Sequence, residues 1–333
     1  MKKFISVMLV AAMAATALTG CGSNSGSSSK KDADKYYIGG IGPTTGATAI
    51  YGTAVKNGAQ IAVDEINAAG GINGKQIEYR FEDDQNDAEK AVNAYNTLKD
   101  WGMQMLVGAT TSKPCIAVSA ETANDNMFQL TPSGSAVECV ANDNVFRVCF
   151  ADPDQGTASA KYIGENKLAT KVAIIYDSST EYSSGVRESF VKEAPNEGIE
   201  IVADEAFTAD TNTDFSVQLD KAKEAGAELV FLPIYYQEAS VILKQASDKG
   251  FDPIFFGCDG MDGILGVKNF DTSLAEGLML LTPFAADSKD EKTTNFVSKY
   301  EEKYKDTPNQ FAADAYDAIY AIKAALEEAN ATP

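Results

Sequence analysis

Hydroxyl side chains follow two neighbouring apolar runs of the sequence, at the points where strands would end. They are Thr110, Thr111, Ser112, Ser133 and Ser135. The first three lead into a helix pattern that begins near Pro114, and N–H groups and hydroxyls at a helix start favour an anion. Ligands of parallel sheets usually bind at the carboxyl ends of the strands. These residues therefore predict an anion site, although a helix cap and a polar turn would give the same pattern.

One acidic residue has a comparable position in the second half of the chain. Asp259 directly follows the apolar run 254–257 and could hold a cation at the end of a strand. It is also part of an Asp-Gly dipeptide, which is common in turns. Taken alone, the dipeptide favours an ordinary turn aspartate over a binding residue.

The composition excludes several kinds of chemistry. The 333-residue chain contains no histidine, which removes His-based triads, His-containing zinc sites and His pH switches. Catalysis by carboxylates or by lysine remains open. The net charge of −20 disfavours nucleic acid as a partner and disfavours docking on anionic lipid through a basic face. With 44% hydrophobic residues the chain can bury substantial cores, and its length suggests about two domains.

Cofactor and metal motifs are incomplete. The run 40–46 has the wrong glycine spacing for a dinucleotide loop and carries a proline, and no phosphate-binding P-loop is present. The acidic run 82–87 lacks the glycine and the distant glutamate of a calcium loop. We therefore expect neither a cofactor nor a metal site.

The cysteines form no C-x-x-C pair, which disfavours a redox or zinc motif. After the N-terminal region four remain: Cys115, Cys139, Cys149 and Cys258. Cys139 and Cys149 could meet across a turn as a disulfide. All four could instead be small buried thiols, which is the interpretation we favour.

Strand and helix patterns alternate along the chain. The first series has strands at 36–41, 76–83, 103–107 and 127–131, with helices at 54–67, after the capping residue Asp87, and at 114–126. The second has strands at 171–176, 200–203, 229–232, 254–257 and 277–281, with helices at 185–193, 215–225 and 237–249. Helices at 295–304 and 309–329 close the chain. This alternation predicts an α/β protein with two lobes of parallel sheet, joined by crossings near 153–156 and 282–283.

The N-terminus has the pattern of an export signal. Two lysines precede a mostly apolar run of residues 4–18, which is too short to span a bilayer as a helix. The following Leu-Thr-Gly-Cys resembles the lipobox of bacterial lipoproteins, in which the cysteine, here Cys21, takes a diacylglyceryl group. An ordinary signal peptide with an incidental cysteine is the alternative. The stretch that follows is rich in Gly and Ser and then charged, as in a flexible tether.

Several short motifs, taken in order, resemble the leucine/isoleucine/valine-binding proteins of bacterial ABC importers. They are Tyr51-Gly52, Asp64 to Asn67, Gly70 to Gly74, Asp83-Asp84, Thr131 to Ser135, Asp214 to Ser216 and Glu276-Gly277. The resemblance implies a type I periplasmic-binding-protein fold, in which two doubly wound parallel-sheet lobes are joined by a hinge and close on an amino acid. Members of that family usually continue into a final strand segment of the second lobe, whereas this chain ends soon after the 309–329 helix.

The resemblance also implies a domain organisation. Residues 1–20 would be the lipoprotein signal peptide and residues 21–35 the tether. Residues 36–154 together with 284–333 would form the first ligand-binding lobe, and residues 155–283 the second.

The same resemblance assigns roles to the polar residues. In that family the residues at the positions of Ser112 and Ser135 bind the ligand carboxylate, and the residue at the position of Asp259 binds the ammonium. That residue is commonly Glu, so Asp259 is one methylene shorter. Thr110 and Thr111 stand where the family is more apolar, which leaves room for a more polar neutral amino acid.

Aromatic residues complete the site that the resemblance implies. Tyr51 matches a residue of the first lobe near the ligand, and Tyr182 and Tyr235 match residues of the second lobe that close over it. Tyr236 is the alternative to Tyr235, because a shift of the alignment by one residue would exchange the two. Phe311 would line the side-chain end of the cavity.

The sequence therefore predicts a monomeric, lipid-anchored, extracytoplasmic binding protein without enzymatic activity. It would capture a branched-chain or other neutral amino acid between two lobes and deliver it to an ABC permease in the membrane. A ligand sensor that presents its closed form to a membrane receptor is one alternative. A secreted enzyme that works through paired carboxylates is another.

Overall fold

A five-stranded parallel sheet organises the first half of the computed structural model, which describes residues 34–333. Its strands are β1 (Lys35–Gly42), β2 (Gln76–Asp83), β3 (Met105–Val107), β4 (Phe128–Thr131) and β5 (Val145–Arg147). They lie in the order β2-β1-β3-β4-β5. The strand order reverses beside β1, and ligands of open α/β sheets bind outside the carboxyl ends of the strands at such a point.

The second half repeats this arrangement. Its strands are β6 (Lys171–Asp177), β7 (Glu200–Phe207), β8 (Leu229–Leu232), β9 (Ile254–Gly257) and β10 (Met279–Leu280). The order β10-β9-β8-β6-β7 is the order of the first sheet read from the opposite edge, and all pairs are parallel. The two parallel sheets predicted from the alternating pattern are therefore present.

Nine α-helices connect and cover the strands of the described residues. They are α1 (Ala49–Ala68), α2 (Ala88–Trp101), α3 (Ser112–Asp125), α4 (Asp152–Glu165), α5 (Glu181–Glu193), α6 (Ser216–Glu224), α7 (Tyr236–Asp248), α8 (Glu291–Tyr304) and α9 (Gln310–Glu328). The predicted cap of α2 is confirmed, since the Asp87 carboxylate accepts a hydrogen bond from Lys90 N at 2.9 Å. A side-chain acceptor at this position satisfies an N–H group that the helix itself cannot pair.

Helix α1 is anchored by an apolar stripe and by close contact with α9. The stripe predicted from helical spacing is buried, with Val55 and Ala59 completely inaccessible. At Gly58 the backbone of α9 comes so close that a Cβ would lie 2.0 Å from the carbonyl oxygen of Ala312. The C-terminal helix therefore returns to the side of the first sheet and holds α1, the helix that carries Tyr51.

Two elements were not predicted from the sequence. The first is helix α4, whose first turn contains the predicted crossing at 153–156. Pro153 is compatible with this position, because the N–H that proline lacks would have no partner in the first turn of a helix. Strand β5 is only three residues long and lies at an edge of the sheet, so its apolar pattern is too short to be distinctive.

Some of the segments predicted from the sequence lie outside the residues that the structure describes. The signal peptide, Cys21 and most of the tether precede the described residues, and Lys35 already belongs to β1. The lobe boundaries at 154/155 and 283/284 stay predictions. No helix between residues 34 and 333 combines the length and apolar character needed to cross a membrane.

Candidate functional site

The segments that follow the strands of the two sheets meet and line one small cavity. Its volume is at most about 230 Å³. All ten residues predicted from the sequence line it: Tyr51, Thr110, Thr111, Ser112, Ser133, Ser135, Tyr182, Tyr235, Asp259 and Phe311. The first sheet and its helices contribute seven of these residues, and the second sheet and its helices contribute three. The cavity therefore lies between the two halves of the molecule.

The start of helix α3 forms one wall of the cavity. Thr111 is the N-cap and makes no side-chain hydrogen bond to the helix, so the first N–H groups are not capped by that residue. The Ser112 hydroxyl oxygen accepts from Ala136 N at 3.2 Å, which leaves its O–H free to donate. Uncapped N–H groups together with a free hydroxyl make this wall suited to a carboxylate.

Three other hydroxyls of the site already donate within the protein. Ser133 donates to the carbonyl of Thr110 at 2.7 Å, and Thr110 donates to the carbonyl of Ile41 at 3.2 Å. Thr111 donates to Asn86 Oδ1 at 2.6 Å. The two threonines therefore hold the loop before α3 in place, and they add less polarity to the cavity than the sequence predicts.

Aromatic rings form the opposite wall. The Tyr51 ring lies 4.4 Å from that of Phe311 and 5.4 Å from that of Tyr235, measured between centroids. Tyr182 stacks on Tyr235 at 5.2 Å. Tyr235 lines the cavity, whereas its neighbour Tyr236 packs against Tyr51 and is not among the lining residues. Of the two tyrosines that the sequence left open, Tyr235 is the one that lines the cavity in this structure.

Hydrogen bonds from α1 join the two halves across the cavity. The Tyr51 hydroxyl donates to the carbonyl oxygen of Gly260 and accepts from Tyr236 N at 3.3 Å. Ile50 N donates to the Tyr236 hydroxyl at 3.2 Å. These contacts, together with the small volume of the cavity, identify the conformer as a closed one.

Asp259 lies at the closed end of the site, in a short 3₁₀ turn directly after β9. The residue is 3% exposed, and its Oδ1 has no hydrogen-bond partner among the described residues. Burial raises the pKa of Asp259 to about 6, while contacts with Tyr182, Gln155 and the Gly260 N–H lower it. A carboxylate with this pKa is mostly ionised at pH 7 and is therefore able to pair with a cation.

Sequence reasoning missed two residues next to Asp259. Gln155 is completely buried, and its Oε1 accepts from Asp259 N at 3.2 Å, which fixes the turn that carries the aspartate. Asp152 is also buried, beside Ser135. Both residues belong to α4, the helix whose first turn the sequence indicated as a crossing, so no helical pattern directed attention to them.

Metal-ligand clusters and the cysteines were the other features that the sequence offered for chemistry. No group of three or more His, Cys, Asp or Glu side chains within residues 34–333 is arranged to hold a metal ion. The four cysteines of this range are free thiols, so Cys139 and Cys149 do not form a disulfide in this structure.

Comparison with protein families and individual proteins gives consistent matches. A model of the family "Periplasmic binding protein" matches residues 35–333. "Leu/Ile/Val-binding protein homolog 3" of Brucella melitensis is 32% identical over 89% of this chain and 79% of its own length. The "Leucine-, isoleucine-, valine-, threonine-, and alanine-binding protein" of Pseudomonas aeruginosa is 29% identical over 90% of this chain and 79% of its own length.

Solved structures show the same chain path. The branched-chain amino acid transporter substrate binding protein LivJ of Streptococcus pneumoniae, in complex with isoleucine, is 33% identical with a TM-score of 0.82. The alignment covers 88% of this chain and 84% of that one. The leucine binding protein LivK of Thermotoga maritima has a TM-score of 0.77 at 26% identity, over 89% and 84% of the two chains. Together with the two five-stranded sheets, this likeness confirms the fold predicted from the sequence.

Proposed function

Because this chain belongs to the periplasmic binding protein family, among its Leu/Ile/Val-binding members, we propose that it captures a free amino acid for an ABC permease. The observation that carries the proposal is the meeting of an uncapped helix start and a buried aspartate in one cavity of at most about 230 Å³. A single amino acid fits this limit better than a peptide or a cofactor does.

The two polar walls would set the direction of the ligand. The carboxylate binds at the start of α3, where Ser112 donates its O–H and the helix N-terminus stabilises negative charge by about 0.3–1 kcal/mol, more when partly buried. The ammonium faces Asp259, whose unpaired Oδ1 needs a positively charged or hydrogen-bonding partner. A ligand that carries both groups on one carbon satisfies both walls at once.

The rings of Tyr51, Tyr235 and Phe311 would receive the side chain of the ligand. Burial raises the pKa of Tyr51 and Tyr235 well above its ordinary value, so both hydroxyls stay neutral. Neutral aromatic rings present apolar faces, which suit an aliphatic side chain.

Branched-chain amino acids are the first candidates for the ligand. The names of the relatives from Brucella and Pseudomonas and the isoleucine complex of the Streptococcus protein support this choice. The name of the Pseudomonas protein also includes threonine and alanine. Smaller neutral amino acids therefore belong in the same test.

Capture would work by closure of the two halves around the ligand. An amino acid that touches Ser112 on one side and Asp259 on the other stabilises the closed form, because it binds that form better than the open one. The Tyr51 hydroxyl, which donates to the carbonyl of Gly260 and accepts from Tyr236 N, joins the two halves and would add to the stability of the closed form. The permease would then recognise the closed form and accept the ligand from it.

The protein would work outside the cytoplasmic membrane and remain attached to it through lipid on Cys21. The export pattern, the lipobox-like Leu-Thr-Gly-Cys and the Gly/Ser-rich stretch that follows support this arrangement. The family consists of binding proteins, so the enzyme considered from the sequence is not assigned.

A thermal-shift screen of the twenty common amino acids, followed by calorimetry, tests the proposal. We expect leucine, isoleucine or valine to raise the thermal midpoint, since ligand at one hundred times its Kd stabilises a protein by about 2.7 kcal/mol. D-enantiomers of the same amino acids serve as matched controls and should produce a smaller shift. No shift with any L-amino acid would contradict the proposal.

A further inference from the structure

A second buried carboxyl group lies beside the amine end of the cavity, in addition to that of Asp259. Asp152 is the first residue of α4 and is 1% exposed. Neither of its carboxylate oxygens has a hydrogen-bond partner among residues 34–333. The Ser135 hydroxyl is near enough to lower the pKa of Asp152, but it does not form a well-aligned hydrogen bond to the carboxylate.

No Lys or Arg within residues 34–333 forms an ion pair with this carboxylate. Arg147 lowers the pKa of Asp152, but its Nη1 donates to the carbonyls of Ser135 and Ala136, at 2.7 and 3.0 Å. The acidic groups Asp259 and Glu138 raise the pKa of Asp152 further, and burial is the largest cause, bringing it to about 8. A buried ionised carboxylate without a partner is costly, so Asp152 needs either a proton or an external positive charge.

Asp152 becomes enclosed only where the two halves of the molecule meet. Its backbone N–H donates to the carbonyl of Ser135 at 3.0 Å, on the side of the first sheet. On the other side α5 approaches, and a Cβ at Gly185 would lie 3.2 Å from Asp152 Oδ2. The absence of a side chain at Gly185 therefore lets α5 pack directly on the carboxylate.

We propose that Asp152 is a second specificity residue for the amine end of the ligand, acting together with Asp259. The inference rests on the proposed function. The backbone N–H of Asp152 donates to the carbonyl of Ser135, which lines the cavity from the first half. Gln155, one turn further along α4, accepts from the backbone N–H of Asp259, which lines it from the second half. The ammonium of the ligand supplies the positive charge that both carboxylates lack. The two carboxylates together then discriminate between an amino acid and the analogue that carries a hydroxyl in place of the amino group. This discrimination is stronger than Asp259 alone would provide.

The test compares L-isoleucine with its 2-hydroxy analogue, 2-hydroxy-3-methylpentanoate, by calorimetry at pH 8. In the wild-type protein the amino acid should bind more tightly, and Asp152→Asn should reduce the ratio of the two affinities by about tenfold or more, equal to about 1.4 kcal/mol. Asp154→Asn is the matched control. It removes the same charge from the same helical turn, but at an exposed position, and should leave the ratio unchanged.

The outcomes separate this inference from the proposed function. An Asp152→Asn protein that binds both compounds less well, but with an unchanged ratio, would show a purely structural role and overturn the inference. Asp152→Ser removes the same charge with a smaller side chain and provides the measurement if the asparagine variant does not fold. A wild-type protein that binds no amino acid would instead overturn the proposed function.

Discussion

At the scale of single residues, the site depends on carboxyl groups whose surroundings differ from those of surface aspartates. Asp259 has one methylene less than the glutamate common in the resembled family, yet it is 3% exposed and lines the cavity directly. Its turn is fixed by Gln155 and by the hydrogen bond from Gly260 N to the Tyr182 hydroxyl at 3.0 Å. The position of the shorter Asp259 side chain is therefore set by these hydrogen bonds to its turn, and not by the length of the side chain.

Replacing Asp259 with asparagine should weaken amino acid binding strongly. Loss of one partner of a buried charge pair typically costs about 2–5 kcal/mol, or roughly thirtyfold to several-thousandfold in affinity. Calorimetry with the best ligand of the screen measures this loss. Asp271→Asn changes an exposed aspartate of another 3₁₀ turn and should leave the affinity nearly unchanged. A loss below about tenfold for Asp259→Asn would reduce that residue to an ordinary turn aspartate.

The buried carboxyl groups should also make stability depend on pH. Burial raises the pKa of Asp152 to about 8 and that of Asp259 to about 6, and it raises the pKa of Asp314 as well. Between about pH 4 and pH 8 the closed protein then binds more protons than the unfolded chain, whose aspartates titrate near 3.9, so the free energy of unfolding falls as pH rises.

Thermal melts of the ligand-free protein from pH 5 to pH 8 measure this dependence. We expect the midpoint to decrease over that interval, and Asp152→Asn to make the decrease smaller, because the amide has no proton to lose. Carboxyl groups with lowered pKa values, such as that of Asp290 at about 2, titrate below this interval and do not contribute. Parallel curves for wild type and variant would contradict the assignment to Asp152.

At the scale of elements, periodicity predicted which segments form helices and strands better than where they begin. Helices α1 and α5 each start about one turn before the predicted residue, at Ala49 and Glu181. Those extra turns carry Tyr51 and Tyr182. The apolar stripe that reveals a helix faces its core, whereas the first turn faces the cavity, so the residues near the ligand lie where the periodic signal is weakest.

The candidate site was predicted mainly from short motifs, and its limits have a physical cause. Spacing and strand ends alone indicated an anion site near Ser112, while the resemblance was needed to select Tyr235 and Asp259 from many similar residues. Asp152 and Gln155 could not be found in this way. Their importance depends on burial and on unpaired polar atoms, which result from packing between distant segments and leave no mark in the local sequence.

The first turns of α5 and the segment before α7 should control the release of the ligand. Tyr182 and Tyr235 come from these segments and stack over the cavity. Their replacement by alanine should speed release by at least about tenfold, since changes at an interface act mostly on dissociation and buried tyrosines are frequent hot spots. Stopped-flow measurement of release gives the rate. The half-exposed Tyr162 on α4 is the control, and Tyr162→Ala should leave release unchanged.

At the scale of the whole molecule, two similar halves enclose a site that neither could form alone. The anion wall and most of the hydroxyls come from the first sheet, whereas Asp259 and two tyrosines come from the second. Closure is therefore required to bring both ends of an amino acid into contact with the protein. The net charge of −20 disfavours docking of the protein on anionic lipid through a basic face.

Attachment through Cys21 predicts where the protein is found in its native host. A diacylglyceryl group provides two acyl chains, enough for stable anchoring, so the wild-type protein should fractionate with membranes. Cys21→Ser should be released or remain unprocessed. Cys258→Ser serves as the control, because that thiol is buried after β9 and lies far from the predicted export signal in the sequence. A Cys21→Ser protein that is fully processed and equally retained on membranes would contradict the anchor.

The central claim is that the closed cavity recognises both charged ends of an amino acid. Calorimetric titration of the wild-type protein with L-isoleucine, L-isoleucinamide and 2-hydroxy-3-methylpentanoate tests it most directly, because each analogue neutralises one end. We predict one isoleucine per protein, with both analogues bound at least about thirtyfold more weakly, the lower limit for unpairing a buried charge. Equal affinity for either analogue, or no saturable binding of any amino acid, would contradict the account.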